Sequence, residues 1–205
     1  MVHSWKIGGF IDVETTGLSY KKDEIVEFAI ILFSFDLNTG HIIEIIDEYS
    51  GMREPSCPIN WMAAKIHGIT KRKVCGMSLD DSKIKEMINQ AEFLAAHNAG
   101  FDYGFVSRYM ESSAWKPWYC SMNGVDWKGM GFTSRGLQNL LKYHGIEIIR
   151  AHRALDDAKA ALLLLSCSDT KGETYLKKML KNGPYINKIK SDYIQAPLNV
   201  STALD

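Results

Sequence analysis

Lys6-Ile-Gly-Gly-Phe-Ile-Asp-Val13 is followed at short intervals by Glu24-Ile-Val-Glu-Phe-Ala-Ile-Ile-Leu-Phe-Ser-Phe35 and His41-Ile-Ile-Glu-Ile-Ile-Asp-Glu-Tyr49. Each segment is rich in β-branched and aromatic residues and has the length of a strand. The first runs into a Thr-Thr-Gly loop, and Asn38-Thr39-Gly40 is a turn signal between the second and third. Spacing this tight predicts an antiparallel three-strand meander.

Beyond Tyr49 the pattern changes. Residues 51–78 hold Pro55, Pro58, Gly68 and Gly76 and read as loop with one short helix near 60–66. Ser78-Leu-Asp-Asp81 reads as a capped helix start, and Leu79, Ile84, Met87, Ile88 and Ala91 follow with helical spacing. Strands are expected at 92–96 and 118–122, with a helix at 101–110 between them. Ser134 is expected to cap a helix carrying Leu137, Leu140 and Leu141 and stopped by Gly145. Further helices are expected at 154–165 and 174–181. Strands alternating with helices after a meander give an α/β fold, a mixed sheet of antiparallel and parallel strands flanked by helices. Residues 1–183 read as one domain and 184–205 as an extension draped from it.

The composition fits this. At ~150 residues per domain, 205 residues make one domain. Hydrophobic residues are 46% and charged residues 23%, which excludes a disordered chain. No apolar run approaches the ~18–20 residues that span a bilayer, and the N-terminus lacks a signal-peptide pattern. Cysteines at 57, 75, 120 and 167 form no CxxC pair, so free thiols and a cytoplasmic location are expected. Lys plus Arg equal Asp plus Glu at 24 each, which argues against a chain that grips nucleic acid by bulk charge alone.

Some of those carboxylates stand out. Asp12 and Glu14 lie two apart at the end of the first strand, so period two puts both on one face and Val13 on the other. Two like charges so placed repel unless a cation lies between them. Asp102 opens the helix after the fourth strand, approached by His97-Asn-Ala-Gly-Phe101. His152 and Asp157 are five apart and would diverge by about 140° on one helix. They converge if His152 sits on the entering loop and Asp157 in the first turns. Asp156 then points elsewhere, as a helix-start charge.

Three segments, Phe10-Ile-Asp-Val-Glu-Thr-Thr-Gly-Leu18, His97-Asn-Ala-Gly-Phe-Asp102 and His152-Arg-Ala-Leu-Asp-Asp-Ala158, together resemble the motifs of the DEDDh (DnaQ-like) 3′→5′ exonucleases. That family includes the proofreading epsilon subunit of bacterial DNA polymerase III. Ile66-His-Gly-Ile-Thr70 resembles a loop that recurs in it. The resemblance covers roughly residues 5–168, in family order.

It implies a ribonuclease H-like fold and a metal-dependent exonuclease. Asp12, Glu14, Asp102 and Asp157 would hold two divalent ions, Mg²⁺ or Mn²⁺, and His152 would be the general base. Hard divalent ions take carboxylate oxygens, and two of them ~3.5–4 Å apart can activate a water and steady a departing oxygen. With those four carboxylates set aside, 24 basic residues face 20 acidic ones, so overall neutrality is compatible with a nucleic-acid substrate. The resemblance also implies nucleotide contacts from Thr15, Thr16, Gly17, Leu18, His67, Asn98 and Phe101. Met62 aligns with a further contact position, where a methionine cannot hydrogen-bond as a polar residue would. The expected substrate is the 3′ end of nucleic acid, single-stranded DNA in preference to RNA, with a DNA polymerase or repair complex as partner and nucleoside 5′-monophosphates as product. RNA 3′-end trimming and a non-catalytic nucleic-acid-binding module are the competing readings. The C-terminal lysines 171, 177, 178, 181, 188 and 190 read as a solvated basic face.

Overall fold

The computed structural model describes residues 4–148 and 150–186. Strands β1 (Trp5–Thr15), β2 (Ile25–Asp36), β3 (Ile42–Met52), β4 (Phe93–Ala96) and β5 (Trp118–Cys120) form one sheet in the order β3-β2-β1-β4-β5. The first three pair antiparallel; β4 runs parallel to β1 and β5 parallel to β4. The meander and the mixed sheet read from the sequence are both present. The helices are α1 (Trp61–His67), α2 (Lys71–Val74), α3 (Asp81–Gln90), α4 (Ala99–Tyr109), α5 (Ser121–Gly124), α6 (Leu137–Tyr143), α7 (Ala154–Ser166) and α8 (Tyr175–Lys181).

The sheet is covered on both faces, which is why β2 is an almost unbroken apolar run. Phe10, Ile31, Phe33 and Phe93 pack on one face with residues of α6, α7 and α8. Ile11, Val13, Phe28, Ile30 and Leu94 pack on the other with α3 and α4. Alternation along β1 therefore puts Asp12 and Glu14 on the α7 side and Val13 on the α3–α4 side, as period two requires.

Several local expectations are corrected. The cap of α3 is Asp80, whose carboxylate accepts the Lys83 N–H at 2.9 Å, and not Ser78. Gly136 and not Ser134 precedes α6; the Ser134 hydroxyl accepts the Gly136 N–H at 3.2 Å, two residues too early to cap. The strand expected at 118–122 ends at Cys120, where Ser121 begins α5. Helix α4 starts two residues ahead of its expected position, and α2 was not anticipated at all. Of the C-terminal lysines, Lys178 pairs with Asp169 and Glu173, Lys181 with Glu173, and Lys177 donates to the Leu37 carbonyl. Lys188, Lys190 and the remainder of the expected extension from 187 onward lie outside the described residues.

Candidate active site

Parallel pairing of β1 with β4 puts the end of β1 beside the start of α4. Helix α7 packs against β1 and β2 on the same side as Asp12 and Glu14. The result is a cleft of about 310 Å³ lined by Asp12, Glu14, Asn98, Phe101, Asp102, His152 and Asp157, with Gly136 to Asn139 closing one side. All four carboxylates and the histidine named from the sequence thus meet in one place.

His152 sits on the loop entering α7 and Asp157 in its first turn, the arrangement that lets residues five apart converge. The His152 N–H donates to Asp157 Oδ2 at 2.8 Å. That bond accompanies an unusual backbone: His152 has φ +62°, left-handed and costly for a residue with a Cβ. Its ring is exposed, and a ring nitrogen lies within 4.8 Å of carboxylate oxygens of both Glu14 and Asp157. Asp156 turns away to pair with Arg150 at 3.0 Å.

Burial of several carboxylates together sets the electrostatics. Burial first, then the charges of Asp102, Glu14, Asp157 and Glu27, raise the Asp12 carboxyl well above its usual range. Glu14 is pushed from 4.5 to about 8 by burial and by Asp157, Glu27 and Asp102, with Arg153 opposing. Burial raises Asp102 to about 7 although the Val13 N–H favours its charged form. Asp157 is raised by burial too, against the His152 N–H and Gln138. Four hard oxygen donors held together at this cost are a donor set that fits divalent cations, because a cation removes the repulsion that the protein alone leaves in place.

A stability consequence follows. A carboxyl with a raised native value keeps its proton where the unfolded chain has lost it, so the native state binds more protons and stability falls as pH rises through the native value. His97, lowered by burial to about 4, works the other way, but only below its ordinary 6.5. Asp36 and Asp169, held near 2, titrate lower still. Between about pH 6.5 and 8 the acidic cluster therefore dominates. The melting temperature in EDTA should fall across that interval, and Mg²⁺ or Mn²⁺ should raise it more at the upper end. A flat profile with no metal response, read by calorimetry, would contradict the cluster.

A second cleft of about 490 Å³ adjoins the first, sharing Glu14 and Phe101 and lined by Thr15, Gly17, Leu18, Asn60, Met62, Ile66 and His67. Its loop is tied from within. Thr15 Oγ1 donates to the Gly17 carbonyl at 2.6 Å, and Thr16 Oγ1 donates to Asp23 at 3.1 Å. Asp23 also accepts the Ser19 N–H at 2.8 Å. A Cβ at Gly17 would meet the Asp23 carboxyl at 2.7 Å, so only glycine allows that closure. The threonine hydroxyls are thus committed to the loop, and Leu18, 87% exposed, is the side chain it presents.

His67, expected at the rim, is buried in the cleft wall. Its Nδ1 accepts the Ile69 N–H at 3.0 Å, so its Nε2–H donates to the Thr15 carbonyl at 3.2 Å. Burial lowers its pKa, consistent with this neutral tautomer. Its evident work is to tie α1 to the end of β1. Met62 is more than half exposed, Asn98 is exposed, and half-buried Phe101 packs on Phe105 while facing both clefts.

The sequence reading missed three residues. Gln138 on α6 donates to Asp157 Oδ1 at 3.2 Å. His97 accepts the Ser121 hydroxyl at 2.8 Å and donates to the Arg135 carbonyl at 2.9 Å, fastening the end of β4 to the segment that closes the cleft. Glu27 lies opposite Glu14 on β2 and is gripped by Arg153. Its signal was available: one charge interrupting the apolar run from Ile25 to Phe33.

A mixed sheet of this topology, with carboxylates gathered beyond the carboxyl ends of β1 and β4, is the ribonuclease H-like arrangement. The RNase_T exonuclease family model matches residues 10–165. The chain belongs to this DnaQ-like exonuclease family. Similar curated proteins include PolC-type DNA polymerase III of Clostridium perfringens, 31% identical over 163 residues covering 77% of this chain, and that of Staphylococcus aureus, 32% identical over 162 residues covering 73%. The chain spans only 11% and 10% of those relatives. Among solved structures, Exonuclease X in complex with 5′ overhanging duplex DNA is similar at TM-score 0.57 and 27% identity, covering 76% of this chain and 88% of that one. Exonuclease I of E. coli bound to single-stranded DNA shares the fold at TM-score 0.64 and 18% identity, covering 78% of this chain and 40% of that one. Among the described residues no helix is long and apolar enough to cross a membrane.

Proposed function

We propose that the chain hydrolyses the terminal phosphodiester at the 3′ end of single-stranded DNA and releases nucleoside 5′-monophosphates. The observation that carries this reading is the meeting of Asp12, Glu14, Asp102, Asp157 and His152 in one cleft that opens onto an apolar, Leu18-edged one. Asp12, Glu14, Asp102 and Asp157 would hold two divalent ions, Mg²⁺ or Mn²⁺, which when bound supply Lewis-acid stabilisation of the reacting oxygens. His152, exposed beside Glu14 and Asp157, accepts the proton of the attacking water. Asp157 orients that histidine by holding its backbone N–H, and Gln138 fixes the other Asp157 oxygen.

The terminal nucleotide lies in the second cleft, its base against Leu18, Met62 and Phe101, its backbone along Thr15 to Gly17 and beside Asn98. His67 acts there through the Thr15 carbonyl. Leu18→Ala should raise KM for an oligonucleotide about 5–10-fold, equivalent to ~1 kcal/mol of lost apolar contact, with kcat changed little. Because Leu18 is exposed in the free protein, the variant should fold normally. An unchanged KM would remove Leu18 from the binding surface.

Residues 1–183 form the exonuclease domain in this reading and 184–205 an extension. The PolC-type relatives support a polymerase or repair complex as partner, and four unpaired cysteines support a reducing, cytoplasmic setting. The preference for DNA is tested by single-turnover digestion of DNA and RNA oligonucleotides of one sequence in parallel. Faster DNA digestion is expected; faster RNA digestion would make the chain an RNA-trimming enzyme with the same chemistry.

A further inference from the structure

We propose that Glu27 and Arg153 form a clamp that positions His152 and Asp157 for the hydrolysis proposed above, on which the catalytic part of this inference rests. Glu27 stands on β2 directly across from Glu14, on the same face of the sheet. It is 2% exposed. A carboxylate so deeply buried is tolerated only when fully paired and hydrogen-bonded. Arg153 supplies that pairing: its Nε lies 3.1 Å from both Glu27 oxygens, and a terminal guanidinium nitrogen lies 2.6 Å from one of them. The Ala154 N–H donates to Glu27 at 3.1 Å as well. Both oxygens are therefore engaged by donors of the α7 entrance.

The position of these donors gives the clamp its consequence. Arg153 is the residue preceding α7, extended at φ −130° and ψ 120°. Left-handed His152 precedes it directly, and Asp157 lies one turn beyond. The Arg153 fork and the Ala154 N–H fix the start of α7 against β2, the strand that also pairs with the Asp12–Glu14 segment of β1. One carboxylate thus sets the distance between the β1 ligand candidates and those of α7. The same fork neutralises a fifth carboxylate facing Glu14 and keeps its oxygens occupied. Glu27 is a positioning residue in this account and not a metal ligand.

The test uses Glu27→Gln, Arg153→Met and the double variant, which removes the clamp but leaves the net charge of the pair unchanged. Each single variant should lose about 10–100-fold in kcat on a single-stranded DNA oligonucleotide, the usual effect of losing a partner that orients a ligand. KM should move less than about 3-fold, since the Leu18 cleft is untouched. The double variant should be no faster than the slower single variant, because both remove one interaction. Recovery of the wild-type rate in the double variant would make the effect one of charge alone and overturn the clamp.

Hydrogen exchange of metal-free protein provides a readout independent of activity. Amides from Arg150 to Ala158 should exchange faster in all three variants, with β2 and α3 unaltered. Unchanged exchange there overturns the proposal. So does acceleration over the whole chain together with a collapsed melting transition, which would make the pair a general structural prop. If Glu27→Gln fails to fold, Arg153→Lys keeps the charge and loses the fork, and it should show the same local exchange and a smaller loss of kcat. Absence of hydrolysis by the wild type would sink the exonuclease reading, while the exchange results would still decide whether the pair holds the loop.

Discussion

Asp12→Ala is expected to abolish nucleotide release while leaving a protein that melts higher than wild type in EDTA. Asp12 is central to the cluster, raised by burial and by the charges of Asp102, Glu14, Asp157 and Glu27. Removing it takes away one of the four carboxylates proposed to hold the metal ions. It also removes a carboxyl that the metal-free fold can keep only by protonating it or by holding its charge against burial and four neighbouring carboxylates. The rate should fall on the order of 10³-fold or more, given that a single preorganised electrostatic contact is worth ~10²–10³. In the metal-free protein the melting temperature should rise by roughly 2–4 °C for each ~1 kcal/mol of repulsion relieved. Added Mn²⁺ should stabilise the variant much less than wild type. The two effects have opposite signs, which separates a ligand from a fold-supporting residue. A variant that is both inactive and less stable would mean that Asp12 serves the fold, and a variant with normal hydrolysis would remove it from the site.

The second large effect concerns His152. Its ring is exposed and within reach of Glu14 and Asp157, while its backbone N–H holds Asp157. The two functions separate cleanly in His152→Gly. Glycine keeps the N–H, accepts φ +62° without strain and loses only the imidazole. The rate should fall ~10²–10⁴-fold, the share of a positioned general base. Metal and oligonucleotide binding should persist, because the carboxylates and the Leu18 loop are untouched. Single-turnover rates of both proteins at saturating metal test this. A variant with the wild-type rate would leave His152 as a loop residue with a structural N–H.

How far the sequence disclosed this site depends on whether a signal was local. The Asp12–Glu14 pair was legible because strand alternation alone puts both on one face, and their register against Ala29 and Glu27 keeps that face under α7. The convergence of His152 with Asp157 was legible as a geometric condition, a loop residue followed by a helix start, which the structure meets. Gln138 was not legible, because its contact with Asp157 arises from how α6 packs beside α7. His67 carried a local motif but its burial did not, since that depends on where the Thr15 carbonyl ends up. The cap of α3 was misplaced by two residues because serine and aspartate have similar capping propensities, and only reach decides between Ser78 and Asp80; that of α6 was misplaced because Gly136 has no capping side chain to mark the start. Helices α2 and α5, of four residues each, are too short to leave a periodic pattern.

The central claim, metal-dependent removal of nucleotides from the 3′ end, is tested most directly by one time course. A linear single-stranded DNA oligonucleotide labelled at either end is incubated with the protein and Mn²⁺, beside a circular single strand and an EDTA control. The account predicts early release of the 3′ label as a nucleoside 5′-monophosphate, a ladder of progressively shortened 5′-labelled strands, an intact circle, and no reaction in EDTA. Early release of the 5′ label, cutting of the circle, or undiminished hydrolysis in EDTA would contradict it.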